Sequence, residues 1–513
     1  MLKTDSAWGK ETDVVVIGYG AAGAVAAMTA RDSGSEVLVL EKSPQASSHS
    51  NSSMAGPWIM GADDVPLAIR YFDELNRFSG PTNWTDPAII RGMAEYLADS
   101  PAWLQRMGGN VRRSHNKSEH QLPGGDGMVL WNYAGMGFRM MSFLQGQVLQ
   151  RGVEIAWDTA AIRLLSNFKG EVTGVMVQTG EGKRTDIRAR RAVILACGGF
   201  EFNETMKLNY LKVYPAYFTG TETNTGDGIR MAQDIGADLW HMNCVAARFV
   251  VKFPEMTWAM PVELAGPKAE SILPPGNANR DGPPPDFPGF VIVDRNGRRY
   301  TNEIYKGHSV YYELGQFDSQ RLVYPRIPSY WIFDRRRMEG GRLPGNRGGA
   351  TGAHQLYPWS IDNSKELEKG WIITAATVGK LAQKLDLPAD NLERTVLDYN
   401  RFCERGRDEE CGRPPATLAP LDNPPFYACR LWPGGPNTQG GPRRDGRCRI
   451  VNPDGGPVPR LYGAGELGSI FGMLYPIGGG NMSECIASGR VAGEYAAREE
   501  PLAGNQWPGG ISE

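Results

Sequence analysis

The sequence predicts an α/β fold: a parallel-sheet domain carried by two separated stretches of chain, with an α+β insertion between them. Three observations predict it. A strand, a glycine-rich turn, a helix and a second strand open the chain over residues 12–41. Strand signals ending in glycine recur at 193–199 and 461–465. Residues 266–433, lying between those two, have a different texture, with mixed strand and helix signals. A length of 513 residues allows two or three structural units and a large core.

The opening unit carries the most information. Val14-Val15-Val16-Ile17 is a short buried-strand run, and Gly18-Tyr19-Gly20-Ala21-Ala22-Gly23 follows at once. An Ala-rich helix pattern runs to Arg31, Gly34 ends it, and Val37-Leu38-Val39-Leu40 is a second strand closed by Glu41. This is a βαβ unit with the dinucleotide fingerprint in its expected context. Gly18 permits the tight turn, Gly20 lets backbone approach a pyrophosphate, and Gly23 lets the helix pack on the sheet. The helix N-terminus offers free N–H groups to the phosphates. Glu41, 18 residues after Gly23, can accept both ribose hydroxyls and would repel a 2′-phosphate.

Further segments separate FAD from NAD. Residues 49–56 (HSNSSMAG) are a small, polar, loop-like stretch. Val193 to Phe200 is a buried strand ending in Gly198-Gly199, and Asn224-Thr225-Gly226-Asp227-Gly228 is a turn opening a helix. Leu461 to Glu466 is a strand, and Gly478-Gly479-Gly480-Asn481 opens a last helix. Glycine-ended strands spread over the chain suit one long ligand, so FAD fits better than NAD. Only one complete fingerprint is present, because Gly463-x-Gly465 lacks its third glycine. A separate nicotinamide domain is not expected.

Residues 266–290 are rich in Pro, Gly and Asn and read as a loop or linker. Phe290 to Asp294, then Gly297 to Tyr300, reads as a hairpin, and 377–385 and 392–403 read as amphipathic helices. The division that follows is a nucleotide domain of residues 1–265 plus 434–513, with a capping insertion at 266–433.

Composition narrows the function. Lys and Arg number 55 against 57 Asp and Glu, a net charge of −2 that argues against nucleic acid as the main ligand. Apolar residues are 41% and charged residues 22%, which excludes a disordered chain. The seven Cys form no C-x-x-C pair, so reduced thiols are expected and neither zinc nor a disulfide framework is. The N-terminal 12 residues lack a signal-peptide core, and no run of about 18 apolar residues appears. The expected location is the cytoplasm.

Taken together, the motifs resemble the flavoprotein superfamily of fumarate reductase and succinate dehydrogenase, and within it the 3-ketosteroid dehydrogenase branch. The resemblance rests on the fingerprint at 18–23, Ala196-x-Gly198-Gly199-Phe200 and Thr225-Gly226-Asp227-Gly228. It rests also on Gly297-Arg298-Arg299-Tyr300-x-Asn302-Glu303, Gly463-Ala464-Gly465-Glu466 and the glycine turn before the last helix. It implies noncovalent FAD in a Rossmann-like domain, with an inserted α+β cap closing over the isoalloxazine. It implies cofactor contacts from Gly18, Gly20, Ala21, Ala22, Gly23, Glu41, Lys42, Asn51, Ser52 and Ala160. Ala196, Gly198, Asp227, Gly465, Glu466 and Asn481 complete that set. Asp227 can equally be a helix N-cap and Glu466 a surface strand end. The last helix would aim its positive end at the flavin N1–C2=O edge.

Departures from the fumarate reductases are as informative. They carry an Arg proton donor after the Asn-Glu pair; here 302–308 read NEIYKGH, with no Arg. Their His-Thr-x-Gly-Gly motif reads Asn437-Thr438-Gln439-Gly440-Gly441, and their substrate Arg is replaced within Tyr475-Pro476-Ile477-Gly478-Gly479. A dianion would lack its counter-charges.

The Tyr475-Pro476-x-Gly478-Gly479 run is instead similar to that of the steroid branch, which implies that the Tyr475 hydroxyl and Gly479 N–H bind a ketone oxygen. Its catalytic Tyr maps near Tyr305, with Tyr311 and Tyr312 as alternatives because the spacing is short. Lys306 and His308 are candidate cations for the phenolate, a packed aromatic is the bland reading of Tyr305, and Tyr133 is a candidate for the pocket wall.

The expected activity is thus FAD-dependent exchange of hydride across the α,β carbon–carbon bond of an apolar ketone, with an external electron partner. The alternative within enzymes is an ene-reductase of an unsaturated acid, using Arg298, Arg299, Arg443 or Arg444. An electron-relay flavoprotein without turnover is the alternative from another class.

Overall fold

The structure is a computed structural model and describes residues 8–77, 83–116, 118, 120–265, 287–304, 308–344 and 357–502. The chain forms two compact units. The first comprises residues 1–203, 223–244 and 438–513; the second comprises 204–222 and 245–437. The sequence divisions at 265/266 and 433/434 therefore differ from the structure. The chain enters the second unit at Glu204, because Tyr217–Phe218 and Val245–Val251 are strands of that unit's sheet.

The first unit is built on an eight-stranded sheet. Lys10–Ile17 lies between Val37–Leu40 and Arg184–Leu195, parallel to both. Glu154–Ala156 and Pro457–Gly463 extend the parallel set, and Arg449–Val451 closes one edge antiparallel. The central runs are fully buried: Val14, Val15, Val16, Val193 and Ile194 have no exposed surface. A run apolar on both faces is what a strand covered by helices requires.

Helix Ala21–Asp32 packs on helix Gly480–Arg498 through small residues. A Cβ at Gly489 would lie 2.7 Å from the Ala22 carbonyl oxygen, and one at Gly493 would lie 2.6 Å from that of Ala26. A three-stranded antiparallel sheet, Trp58–Ala62, Met128–Tyr133 and Val111–Asn116, completes this unit.

The second unit is built on a seven-stranded sheet whose long strand is Phe426–Thr438. Ser329–Phe333 pairs with that strand and with Phe290–Val293, both antiparallel. The hairpin expected at 290–300 reduces to one bridge, Val293 to Arg299, and Phe290–Val293 finds its partner at 329–333 instead. Helices Val378–Leu385 and Ala389–Arg405 cover this sheet with Leu381, Leu385, Leu392, Val396 and Tyr399. Both expected helices are present. The expected linker largely falls on 266–286, outside the described residues.

Candidate active site

In the first unit the fingerprint glycines divide by cause. Gly18 has φ +102°, and a Cβ there would meet the Ala196 carbonyl oxygen at 2.5 Å. A Cβ on Gly23 would fall 1.9 Å from the Gly18 carbonyl oxygen. The fold itself requires both glycines. Gly20 is different: its φ is −76° and its nearest neighbour, Ser52 Oγ, is 3.6 Å away. No protein atom demands its missing side chain, so the open cradle at the helix N-terminus suits a close-lying ligand.

Ser52 Oγ accepts the Ala21 N–H at 3.2 Å from the next segment. That segment is not a loop, as its composition suggested. Asn51–Met54 is a short helix because Ser50 and Ser53 cap it reciprocally.

Glu41 accepts backbone N–H groups on both oxygens, from Tyr19 at 3.1 Å and Ser43 at 2.9 Å. A carboxylate has about four acceptor sites, so two remain for hydroxyls. Thr159 N–H donates to the Glu41 carbonyl, which brings Ala160 beside it. Lys42 Nζ donates to Asp227 Oδ2 at 2.6 Å and to Thr225 at 3.1 Å. Asp227 opens helix Asp227–Gln233 after Gly226, so it is the first helical residue and not the cap. Burial pushes its carboxyl up, but Lys42, Thr225 and Arg230 outweigh this and hold it below the ordinary range.

A polar layer lies beside the N-terminus of helix Ala21–Asp32, because Asn51 and Gly465 adjoin Ser52 and Ala22. Glu466 Oε2 accepts from Asn51 Nδ2 at 3.2 Å, and Asn481 Oδ1 accepts from Gln439 Nε2 at 3.3 Å. Gly465 has φ +76°, its N–H donates to Ser488 Oγ, and a Cβ there would crowd Ala22 Cβ at 2.8 Å. Gly198, at φ +71°, leaves space that the Asn224 side chain fills. Glu201 is fully buried, and its Oε1 accepts from Thr438 N–H at 2.6 Å and Thr438 Oγ1 at 2.9 Å. Arg444 is also fully buried. It donates to the carbonyls of Gly463, Gly465 and Gly468 and to Glu484 at 2.6 Å. Neither Glu201 nor Glu484 was among the candidate site residues, and Arg444 was a candidate only for binding a substrate carboxylate. An acid directly after Gly198-Gly199-Phe200 was the available signal for Glu201.

Tyr475 is buried, and its hydroxyl oxygen accepts the Asn481 N–H at 2.9 Å. Gly479 precedes the last helix at φ +82°, where a Cβ would strike the Trp58 carbonyl oxygen at 2.4 Å. Tyr71 OH donates to the Pro476 carbonyl at 2.6 Å and anchors the turn between them. The hydroxyl of Tyr475 and the backbone of Gly479 thus meet at the head of one helix, where the dipole is positive. Tyr133 is buried in the core cluster against Phe143.

In the second unit, Tyr305 and Lys306 lie outside the described residues. Tyr311 is fully buried and donates to the Val213 carbonyl at 3.0 Å. Tyr312 accepts the Val245 N–H at 3.2 Å, and His308 Nε2 lies 3.3 Å from Arg248. Arg299 and Glu303 form a buried bidentate pair, joined by Asp408 and Arg413. The Gly297–Glu303 motif is accordingly this unit's structural hub.

The expected FAD fits the residues of the first unit. Gly20 leaves a cradle, Glu41 keeps acceptor capacity, and Asn481 Nδ2 is a buried donor with no hydrogen-bond partner among the described residues.

The family model described as an FAD binding domain matches residues 13–482. The chain is 28% identical to a 3-oxosteroid 1-dehydrogenase of Mycobacterium tuberculosis, over 95% of this chain and 98% of that protein. It is 28% identical to the fumarate reductase (cytochrome) of Shewanella frigidimarina, over 95% of this chain and 77% of that protein. In fold it is similar to the 3-ketosteroid delta1-dehydrogenase of Sterolibacterium denitrificans, solved in complex with 1,4-androstadiene-3,17-dione. That likeness has a TM-score of 0.78 at 21% identity, over 95% of this chain and 99% of that one.

Proposed function

The chain belongs to the FAD binding domain family, and from that premise we propose that it makes or reduces a carbon–carbon double bond next to a ketone. The coarser activity, an FAD-dependent oxidoreductase working on carbon–carbon bonds near conjugated systems, is common to its dehydrogenase and reductase relatives. One observation carries the finer reading: the Tyr475 hydroxyl accepts the Asn481 N–H at the head of the last helix, beside Gly479.

A phenol oxygen that accepts from a helix N-terminus becomes a stronger O–H donor. Aimed at a ketone oxygen, it stabilises the enolate charge that grows when an α proton leaves. One such preorganised donor is worth about 3–4 kcal/mol. The Gly479 N–H is the second donor, and Tyr305, by the family pattern alone, exchanges the α proton. Glu41, Ser52, Asn51, Glu466 and Asn481 would hold FAD, noncovalently. FAD supplies two-electron exchange with the substrate β carbon when bound.

The carboxylate alternative loses support at its cations. Arg299 and Arg444 are fully committed to buried acids and carbonyls, and Arg443 pairs with Asp238 at 3.3 Å. Only Arg298 of the four candidates is exposed. The identity shared with a fumarate reductase keeps that reading as an arm of the test.

The test is anaerobic reduction of the FAD-loaded protein by saturated cyclic ketones, including 3-ketosteroids. Loss of the oxidised flavin band is expected for a dehydrogenase. Reoxidation of the dithionite-reduced enzyme by enones supports the same site working in reverse. Reoxidation only by unsaturated acids overturns the ketone.

A further inference from the structure

We propose that a cleft in the first unit, at the far end of the helices that face the cofactor site, binds a flat organic anion, with its ring on Trp103 and its charge on Arg490 and Arg498. The inference goes beyond the ketone reading and does not rest on it.

The cleft has a volume of about 470 Å³. Trp103 and Met107 give it an apolar wall, and Arg106, Arg151, Arg490 and Arg498 line the rest together with Asp32 and Glu494. Helices Ala21–Asp32, Pro87–Arg106, Met136–Gln150 and Gly480–Arg498 all end there. Helix C-termini carry negative partial charge, so basic residues are expected beside them. That reading and the neighbouring acids account for two of the four arginines.

Donor by donor, the other two stand out. Arg106 gives both terminal nitrogens to Asp99 at 3.0 and 2.7 Å, and Arg151 Nε sits on both oxygens of Asp32 at 2.8 and 3.0 Å. These two are committed. Arg490 has a side chain only 14% exposed, with its guanidinium over the rings of Tyr96 and Trp103 at 4.9 and 5.4 Å. Its single hydrogen bond runs from Nη1 to Asp99 at 3.0 Å, an acid that Arg106 already holds. A guanidinium carries five N–H donors, and one that has lost most of its water needs acceptors for them. Arg498 lies eight residues on along the same helix face and makes no hydrogen bond among the described residues. Its ion-pair partner, Glu494, stands 4.0 Å away and accepts the Tyr96 hydroxyl at 3.0 Å.

Two guanidinium groups with uncommitted donors thus face a cleft that has an indole wall. A carboxylate or sulfonate takes those donors as charge-assisted hydrogen bonds, and a planar body covers Trp103 beside Met107. A bare inorganic anion uses only the first feature, and an uncharged ring only the second. Helix Gly480–Arg498 begins at the Tyr475 turn, and its 19 residues span about 28 Å, so the cleft is separate from the proposed ketone site.

The experiment is a fluorescence titration of the FAD-loaded enzyme with anilinonaphthalene sulfonate at low ionic strength, followed by competition. One saturable site is expected. Arg498→Glu is expected to weaken it by about tenfold or more, since hydrogen bonds to a charged group are lost. That side chain is 67% exposed and makes no hydrogen bond, so the fold does not depend on it. Trp103→Leu is expected to weaken it as well, and benzoate is expected to displace the probe where equimolar sulfate does not. Absence of saturable binding overturns the site, as does a dissociation constant unmoved by Arg498→Glu, which places the probe elsewhere. Sulfate competing as well as benzoate overturns the flat ligand. If Trp103→Leu fails to fold, Arg498→Glu and the competition decide.

Discussion

Tyr475 and Gly20 show how single atoms carry the argument. Tyr475→Phe removes one hydroxyl that accepts from the Asn481 N–H. If the hydroxyl also holds a substrate oxygen, kcat falls by about 10²–10³ with the flavin spectrum unchanged. Steady-state kinetics beside the absorption spectrum check this. An electron relay without turnover would keep its rate.

Gly20 and Gly23 make a second test, since the fold needs only one of them. Gly23→Ala drives a Cβ into the Gly18 carbonyl oxygen and should destabilise the apoprotein by about 1–3 kcal/mol. Gly20→Ala meets nothing nearer than 3.6 Å, so apoprotein stability should change by less than ~0.5 kcal/mol while FAD affinity drops. Urea unfolding and fluorescence titration separate the two. At this scale the sequence was legible where a residue type has one use: the fingerprint glycines and Glu41 lie where the motif puts them. Asp227 was less legible, because an acid before a helix can cap, pair or bind, and only the contacts with Lys42 at 2.6 Å and Arg230 at 2.7 Å show that it pairs. Glu201 was missed although it follows Gly198-Gly199-Phe200 directly, because its partner, Thr438, is far along the chain.

Elements were read best where periodicity was strong. The opening strand, the two helices of the second unit and the last helix all stand where the pattern predicts them. Pairing was harder to read. Phe290–Val293 looked like half of a hairpin, yet its partner comes at 329–333, because local sequence does not encode distant register.

The contact between helices Ala21–Asp32 and Gly480–Arg498 gives a prediction at this scale. Ala is the better helix former by about 1 kcal/mol. At Gly489 the added Cβ lies 2.7 Å from a carbonyl oxygen that cannot rotate away. The clash should win, and Gly489→Ala should lower stability by about 1–3 kcal/mol in urea unfolding.

For the molecule as a whole, the two-part organisation was foreseen and its boundaries were not. Residues 204–222 carry no compositional change, yet Tyr217–Phe218 adds to the second unit's sheet. That unit's buried charges predict its response to acid. Burial raises the Asp408 carboxyl, but Arg299 prevails and holds it at about 2 against an ordinary 3.8. A depressed folded-state value means the contribution is full above about pH 4 and is lost as pH falls toward about 2. Asp408→Asn should flatten the acid-unfolding profile in that window, followed by circular dichroism. Arg299→Met leaves Asp408 without its cation and Glu303 with Arg413 alone at 3.6 Å, and should cost about 3–5 kcal/mol at neutral pH. No helix among the described residues is long and apolar enough to cross a membrane.

Pairing of Val193 with Leu461 in the central sheet has a consequence for synthesis. Translation proceeds at ~5–20 residues per second, so Arg184–Leu195 leaves the ribosome tens of seconds before the strand that covers its flank. Until then a bare edge of Val and Ile is open to other nascent chains. The small-residue face of Ala21–Asp32 waits longer still, for Gly480–Arg498. Chaperone demand and yield should therefore depend on how quickly the ribosome reaches the C-terminal segments, and clusters of slow codons between residues 200 and 450 should lower soluble expression without changing one amino acid.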